Sequence, residues 1–151
     1  MQEIQNAVMS LGFRVCLGES CRCETDCGYA AAPASVKAQD IKRAFADPEV
    51  KAVWCVRGGS TAWQVLPQLD YTLIAGHPKP LIGFSDVTTL HLALGQRCGL
   101  VTYHGPTANR VLSWGETDGF SWRSLQRALS LESGLTIENP PGEPIRILRP
   151  G

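Results

Sequence analysis

The chain has 151 residues, a mass of 16.4 kDa and a formal net charge of zero, with 44% hydrophobic and 19% charged residues. This length suits one domain with its own core, and the composition excludes a disordered chain, a collagen-like repeat and a long coiled coil. The balanced charge excludes a general attraction for nucleic acid or anionic membranes, so we expect a small or neutral partner.

Apolar stretches in the chain are far shorter than the ~20 residues that cross a bilayer. The N-terminus lacks the basic start and the unbroken apolar run of a secretory signal. We therefore expect a cytoplasmic protein, in which the six cysteines are reduced thiols rather than a disulfide framework.

Helical and extended patterns alternate along the chain. In chain order they predict a helix over 4–11, a strand over 13–17, a loop over 18–33, a helix over 35–46 with Ser35 as N-cap, a strand over 50–56, helical stretches over 62–66 and 71–75, a strand over 80–84, a helix over 87–94, a strand over 100–103 and a helix over 122–129. This alternation predicts an α/β fold with a mainly parallel, twisted sheet and helices on both faces.

The predicted domain occupies residues 1–133. Beyond it, short extended pieces over 135–137 and 145–148 flank a proline- and glycine-containing turn at 139–142. Residues 134–151 are therefore interpreted as a linker.

Ser85 is the candidate nucleophile, since it stands between a buried strand and a helix, where a sharp turn exposes the hydroxyl. The helix N-terminus presents N–H groups, that of Asp86 first, to the oxyanion formed in acyl transfer. The usual nucleophile elbow ends in glycine, whereas Val87 stands here. Spacing alone leaves an N-cap role for Ser85 or Asp86 as the alternative.

Two glycines follow the neighbouring strand, in the segment Arg57-Gly58-Gly59. Since parallel strands end at the same edge of a sheet, we expect these glycines near Ser85, where their backbone supplies a second oxyanion donor. Arg57 is suited to holding a carboxylate. A plain turn is the alternative, and the segment is no phosphate loop, because no Gly-Lys-Ser/Thr follows.

A serine nucleophile needs a base, and the chain has three histidines. His77 enters a strand from its amino end and is expected at the wrong edge of the sheet. His91 borders a packed helix face and is interpreted as structural. His104 alone follows a strand, and either reaches Ser85 or caps the turn at Gly105-Pro106. None is a convincing base.

Three cysteines cluster in the loop at positions 21, 23 and 27. Structural zinc sites want four ligands, usually with paired Cys-x-x-Cys spacing, so we expect no metal here. Cys16, Cys55 and Cys98 are interpreted as small buried hydrophobes.

Five segments carry a combined motif: FADPEVKA at 45–52, RGG at 57–59, LPQLDY at 66–71, KPLIGFSD at 79–86 and HGP at 104–106. Together they resemble the N-terminal, Rossmann- or flavodoxin-like domain of the LD-carboxypeptidase (muramoyl-tetrapeptide carboxypeptidase) family of serine peptidases. The resemblance implies that Ser85 attacks the amide between an L-configured centre and a terminal D-amino acid, typically D-alanine of cytoplasmic muropeptides in cell-wall recycling. It also matches backbone N–H groups of Asp86, Gly58 and Gly59 to the family's oxyanion hole, and implies no cofactor.

Departures from the family pattern qualify these expectations. Ser60-Thr61 follows the two glycines, where the family commonly has an aromatic and a small residue, so substrate contacts at Arg57, Ser60 and His104 need testing. The resemblance places the Glu and His of the triad in a C-terminal domain, and we expect this chain to lack that domain and the first strand of the fold. We therefore expect a fragment that is nearly inactive alone, whose partners are the missing domain and, through an exposed sheet edge, a second copy in a homodimer.

Three alternative functions stay open. Related microcin-immunity peptidases share the motifs but cleave peptidyl nucleotides. A self-contained serine esterase would use His104 as its base, within hydrogen-bond reach of Ser85. A non-catalytic module would bind muropeptides in the same cleft without turnover.

Overall fold

The computed structural model describes residues 1–23, 31–114 and 119–129, together with Gly142. Its helices are α1 (Gln2–Met9), α2 (Ala34–Ala46), α3 (Tyr71–Gly76), α4 (Thr88–Cys98), α5 (Ala108–Trp114) and α6 (Gly119–Leu129). Its strands are β1 (Val53–Trp54), β2 (Leu81–Gly83) and β3 (Tyr103–His104). Short 3-10 turns span Glu19–Cys21, Ala62–Gln64, Leu66–Gln68 and Ser85–Val87. The chain divides into two compact units, Met1–Leu112 and Ser113–Gly151.

All three strands run parallel, in the order β1-β2-β3. Val53 pairs with Leu81 on one side of β2, and Ile82 pairs with Tyr103 on the other. The central strand is buried along its whole length, as expected where helices cover both faces of a parallel sheet. The predicted α/β fold with a parallel sheet is confirmed.

The main core lies on one face of this sheet. Leu81 is fully buried there, among side chains from α2, α3 and α4 that include Phe45, Ile74 and Leu94. Each such side chain contributes roughly 1.5–3 kcal/mol relative to leaving it in water. Successive strand residues alternate sides, so Ile82 faces the opposite side of the sheet, where it is only 3% exposed.

Specific polar contacts set the ends of the helices that carry this core. The Asp70 carboxylate accepts the N–H of Leu73 and caps α3. Gly99, in the left-handed conformation, ends α4. Lys79 donates to the carbonyls of Ala44 and Asp47, and so ties the end of α2 to the segment that enters β2.

The predicted strand over 13–17 is wrong. These residues form no ladder with any strand in the described part of the chain, and Phe13 is 44% exposed. Cys16 is exposed as well, which overturns its interpretation as a buried hydrophobe. An apolar run can predict a strand, but the strand exists only where a partner supplies backbone hydrogen bonds.

Other boundaries moved for local reasons. Helix α2 begins at Ala34, so Pro33 is its N-cap and Ser35, predicted as the N-cap, lies inside the first turn. Pairing shortens the strand predicted over 50–56 to two residues, and the strand predicted over 100–103 begins only at Tyr103, where its pairing with β2 starts. Helix α5 has no counterpart in the sequence prediction.

Residues 134–151 lie outside the described part of the chain apart from Gly142, so the linker and the boundary at 133 stay predictions. In the residues that the structure does describe, every helix is too short or too polar to cross a bilayer.

Candidate active site

Ser85 lies one residue beyond β2, at the start of the 3-10 turn that leads into α4. Its side chain is exposed, and its φ of +65° is the only positive value at a non-glycine position among the described residues. A left-handed conformation costs an L-residue roughly 1–2 kcal/mol, and such strain concentrates at functional sites. The strand-turn-helix geometry predicted for Ser85 is present.

Close packing beneath the turn produces this sharp bend. A Cβ at Gly83 would lie 2.8 Å from Cγ1 of Val87 and 3.2 Å from Cβ of Cys55. Only glycine therefore lets the first turn after β2 fold back this tightly over the strand.

The glycine pair that follows β1 reaches the same point. A Cβ at Gly58 would lie 3.1 Å from Cβ and 3.3 Å from Oγ of Ser85. A Cβ at Gly59 would lie 3.6 Å from Oδ2 of Asp86. The structure thus brings Gly58, Gly59, Ser85 and Asp86 together, as expected from the parallel pairing of β1 with β2.

Arg57 and Ser60 flank the glycine pair, and both are exposed. They lie on the loop that contacts the Ser85 turn, and their roles as substrate contacts stay predictions.

The Asp86 carboxylate makes contacts that the sequence did not reveal. Its Oδ2 accepts the N–H of Thr61 at 2.8 Å and that of Ala62 at 2.9 Å. Lys37 of α2 in turn donates to Oγ1 of Thr61 at 3.0 Å. The sequence suggested an oxyanion donor or a local N-cap at Asp86 but not these contacts, because partners 24 and 25 residues away leave no local signal.

His91 supports the strand end rather than Ser85. Its Nε2 donates to the carbonyl of Gly83 at 2.9 Å, and the same oxygen accepts the N–H of Gly105 at 3.0 Å. A carbonyl only accepts, so Nε2 carries the proton, and Nδ1 is left buried without a partner. These contacts agree with the structural role expected for His91.

His104 lies in β3 opposite Gly83 and is exposed. Its ring meets Phe84 edge-to-face, with centroids 6.4 Å apart, and lies 5.9 Å from the ring of His91. The turn that follows is anchored by Trp54, whose indole N–H donates to the Pro106 carbonyl at 2.7 Å.

None of the hydrogen bonds among the described residues joins Ser85 to a histidine. His77 ends α3 before β2 begins, and its Nδ1 donates to the Leu73 carbonyl, so it lies at the amino edge as expected. The geometry therefore lends no support to His104 as the base of a self-contained esterase.

The cysteines that the structure describes make no hydrogen bond with Ser85 or the glycine pair. All those described are free thiols, and Cys55 packs against the core, where burial and then the neighbouring Cys21 raise its pKa to about 12. Within the described residues, no group of three His, Cys, Asp or Glu side chains is placed to hold a metal ion, and Cys27 lies outside them.

Comparison with known proteins finds a matching family and several similar proteins. Residues 1–105 match the family described as LD-carboxypeptidase N-terminal domain. A murein tetrapeptide carboxypeptidase of Pseudomonas aeruginosa is 46% identical over 81 residues, which cover 53% of this chain and 26% of the relative. A "Probable murein peptide carboxypeptidase" of Bacillus subtilis is 42% identical over 96 residues, which cover 64% of this chain and 30% of the relative.

Comparison with solved structures supports the same relationship. The crystal structure of an MccF-like protein from Bacillus anthracis superposes with a TM-score of 0.67 and 35% identity, over 74% of this chain and 33% of that one. The chain thus spans about a third or less of the length of these three relatives.

Proposed function

The chain belongs to the LD-carboxypeptidase family, and on that premise we propose that it carries the nucleophile and oxyanion donors of a serine peptidase. The bond cleaved is the amide that precedes a terminal D-amino acid, D-alanine first of all, in cytoplasmic muropeptides during cell-wall recycling. Ser85 is the nucleophile, and backbone N–H groups of Asp86, Gly58 and Gly59 stabilise the oxyanion.

One observation carries the proposal: an exposed serine held at a φ of +65° directly against a glycine pair from the neighbouring strand. A plain N-cap needs neither the strained backbone nor the close approach of Gly58. The turn also leads directly into α4, and the first N–H groups of a helix have no partners within it and favour negative charge. This is the arrangement that acyl transfer requires.

The reaction follows from these groups. Oγ of Ser85 bonds to the scissile carbonyl carbon as its proton passes to a base, and the oxygen that becomes negative is held by the backbone N–H groups. The C–N bond then breaks, and the amine leaves with that proton as the free D-amino acid. Water cleaves the remaining ester, which restores the hydroxyl of Ser85 and releases the shortened peptide.

The general base comes from a part of the enzyme outside these 151 residues. Two observations support this step: the described histidines make no hydrogen bond to Ser85, and the relatives are more than three times as long as the segments they share with this chain. A further domain is therefore the expected partner. Self-association through an exposed sheet edge stays a prediction.

A second candidate is a microcin-immunity type of peptidase, which would release an aminoacyl group from a nucleotide. The likeness to the MccF-like protein of Bacillus anthracis favours it, and so does the exposed Trp63, which lies in the 3-10 turn directly after Ser60-Thr61 and offers an aromatic face to a nucleotide base. The chemistry at Ser85 is the same for both candidates, so only the substrate distinguishes them.

The test joins the 151-residue chain genetically to the C-terminal part of the Pseudomonas aeruginosa relative. Released D-alanine is measured from a muropeptide tetrapeptide, and released sulfamoyl adenosine from an aminoacyl sulfamoyl adenosine. We expect D-alanine release that falls by about 10³-fold or more in Ser85→Ala. Ser35→Ala, which alters another exposed serine, should stay within twofold.

Each outcome decides one part of the proposal. Turnover that survives Ser85→Ala refutes the nucleophile. Ser85-dependent turnover by the unjoined chain at a comparable rate refutes the external base. Preference for the aminoacyl nucleotide over the tetrapeptide selects the microcin-type candidate.

A further inference from the structure

The Asp86 side chain has no part in the reaction as written above, yet it connects the two loops of the site. We propose that its carboxylate is a positioning residue that holds the Gly58-Gly59 turn against Ser85, so that the oxyanion donors of both loops face one point. The catalytic consequence rests on the proposed function. The contact itself is a property of the fold.

The contacts of a single oxygen carry the inference. Oδ2 of Asp86 accepts two successive backbone N–H groups, from Thr61 and Ala62, at 2.8 and 2.9 Å. These are the amides that follow Gly58-Gly59-Ser60 directly along the chain. Hydrogen bonds to a carboxylate are about twice as strong as those between neutral groups, so the pair anchors the loop on the side next to Ser85.

A second contact holds the same loop from the other side. Thr61 is only 8% exposed, and its hydroxyl accepts a hydrogen bond from Lys37 at 3.0 Å. Thr61 is therefore hydrogen-bonded both to helix α2 and to the turn that carries Ser85. The loop lies between two elements that are themselves packed into the core.

This anchoring matters because the glycine pair has little conformational preference of its own. Glycine populates many backbone conformations at similar energy, so Gly58 and Gly59 would sample several positions if the loop were released. Oxyanion donors stabilise a transition state only when they are held in place before the charge develops, within about 0.5 Å of the productive geometry. The carboxylate of Asp86 supplies that constraint.

A contact test uses amide hydrogen exchange in the 151-residue chain. In Asp86→Ala we expect the Thr61 and Ala62 amides to exchange at least about tenfold faster, from the loss of their acceptor. In Asp86→Asn the increase should be less than about threefold, because the one amide oxygen can replace Oδ2 for both donors. Unchanged exchange in Asp86→Ala overturns the proposal.

Asp40 provides a matched control. Its carboxylate likewise accepts two successive loop amides, from Glu19 at 3.0 Å and Ser20 at 2.8 Å, but in a different loop. Asp40→Ala should release those two amides and leave exchange at Thr61 and Ala62 unchanged.

The catalytic test uses the joined protein described above. We expect Asp86→Ala to lower kcat by about 10²-fold with KM changed less than threefold, since the donors act in the transition state. Asp86→Asn should lose no more than about tenfold, and Asp40→Ala less than twofold. Equal losses in Asp86→Asn and Asp86→Ala, or in Asp40→Ala and Asp86→Ala, overturn positioning as the cause.

Two further measurements cover the cases in which Asp86→Ala does not fold or the joined protein is inactive. If Asp86→Ala does not fold, the unmutated chain still decides the contact: the Thr61 and Ala62 amides should exchange at least about tenfold slower than in an unstructured peptide, and unprotected exchange at both overturns the proposal. If the unmutated joined protein shows no Ser85-dependent turnover, the proposed function fails, while hydrogen exchange still decides whether Asp86 holds the loop.

Discussion

Gly83 is the position where the tight turn is most open to a quantitative test. A methyl group there would sit 2.8 Å from Cγ1 and 3.2 Å from Cβ of Val87, and 3.2 Å from Cβ of Cys55. Carbon atoms in good contact are about 3.5–4.0 Å apart, so these neighbours must move by several tenths of an ångström. Val87 is only 4% exposed and is β-branched, so it has little freedom to give way.

The expected magnitude follows from these distances. Overpacking of this kind costs about 1–3 kcal/mol. Alanine also restricts the unfolded chain, which offsets about 0.4–1 kcal/mol where the backbone tolerates it. Gly83→Ala should therefore lower the free energy of unfolding by about 1–2 kcal/mol, or Tm by about 2–8 °C at the 2–4 °C per kcal/mol typical of this size.

Denaturant unfolding of a double-mutant cycle identifies the cause. Val87→Ala alone removes buried methyl groups worth roughly 1.5 kcal/mol. In Gly83→Ala/Val87→Ala the new methyl enters the vacated space, so the double variant should be about 1 kcal/mol more stable than the sum of the single effects. Gly95→Ala is the control, because it lies exposed in α4 with ordinary contacts and should stabilise by about 0.5–1 kcal/mol. Additive effects at 83 and 87, or an undiminished Tm in Gly83→Ala, would refute the steric account.

Three other expectations concern stability. Ser85→Gly should be more stable than Ser85→Ala by about 1 kcal/mol in thermal unfolding, because glycine relieves the left-handed strain and alanine retains it; equal stability would mean that the strain is absent. Asp70→Ala should cost about 1 kcal/mol through loss of the cap on α3, and Asp70→Asn clearly less, with urea midpoints as the measurement; an equal cost would place the effect in the charge. Burial opposes ionisation of Asp40, but hydrogen bonds from Ser20 and Glu19 outweigh burial and lower the pKa of the carboxyl below its usual 3.8. The ionised carboxylate therefore contributes its full stabilisation above pH 3.8, and this contribution is lost as the pH falls through the lower pKa of the folded state. Urea unfolding between pH 6 and 3 should therefore show a shallower acid loss in Asp40→Asn than in the unmutated chain, and parallel curves would contradict this.

Side-chain contacts between residues far apart in the chain could not be predicted from the sequence. Asp86 accepts hydrogen bonds from Thr61 and Ala62, and no local sequence pattern around any of these residues predicts that they meet. The run at 13–17 has the composition of a strand, yet it pairs with no strand among the described residues, and strand formation depends on such a partner. Helix α5 was not predicted for a related reason. Its intrinsic helix propensity is weak, and burial of Val111, which is fully buried, stabilises it instead.

Local chemistry determined the rest. Apolar periodicity and the glycines and prolines between the segments were enough to predict alternating helices and parallel strands, because those signals act over a few residues. Parallel pairing then required Ser85 and the Gly58-Gly59 turn to share one edge, whatever the remaining details. Tertiary structure alone decided how close they come, which conformation Ser85 adopts and which side chain holds the loop, since these depend on packing and hydrogen bonds between residues far apart in the chain.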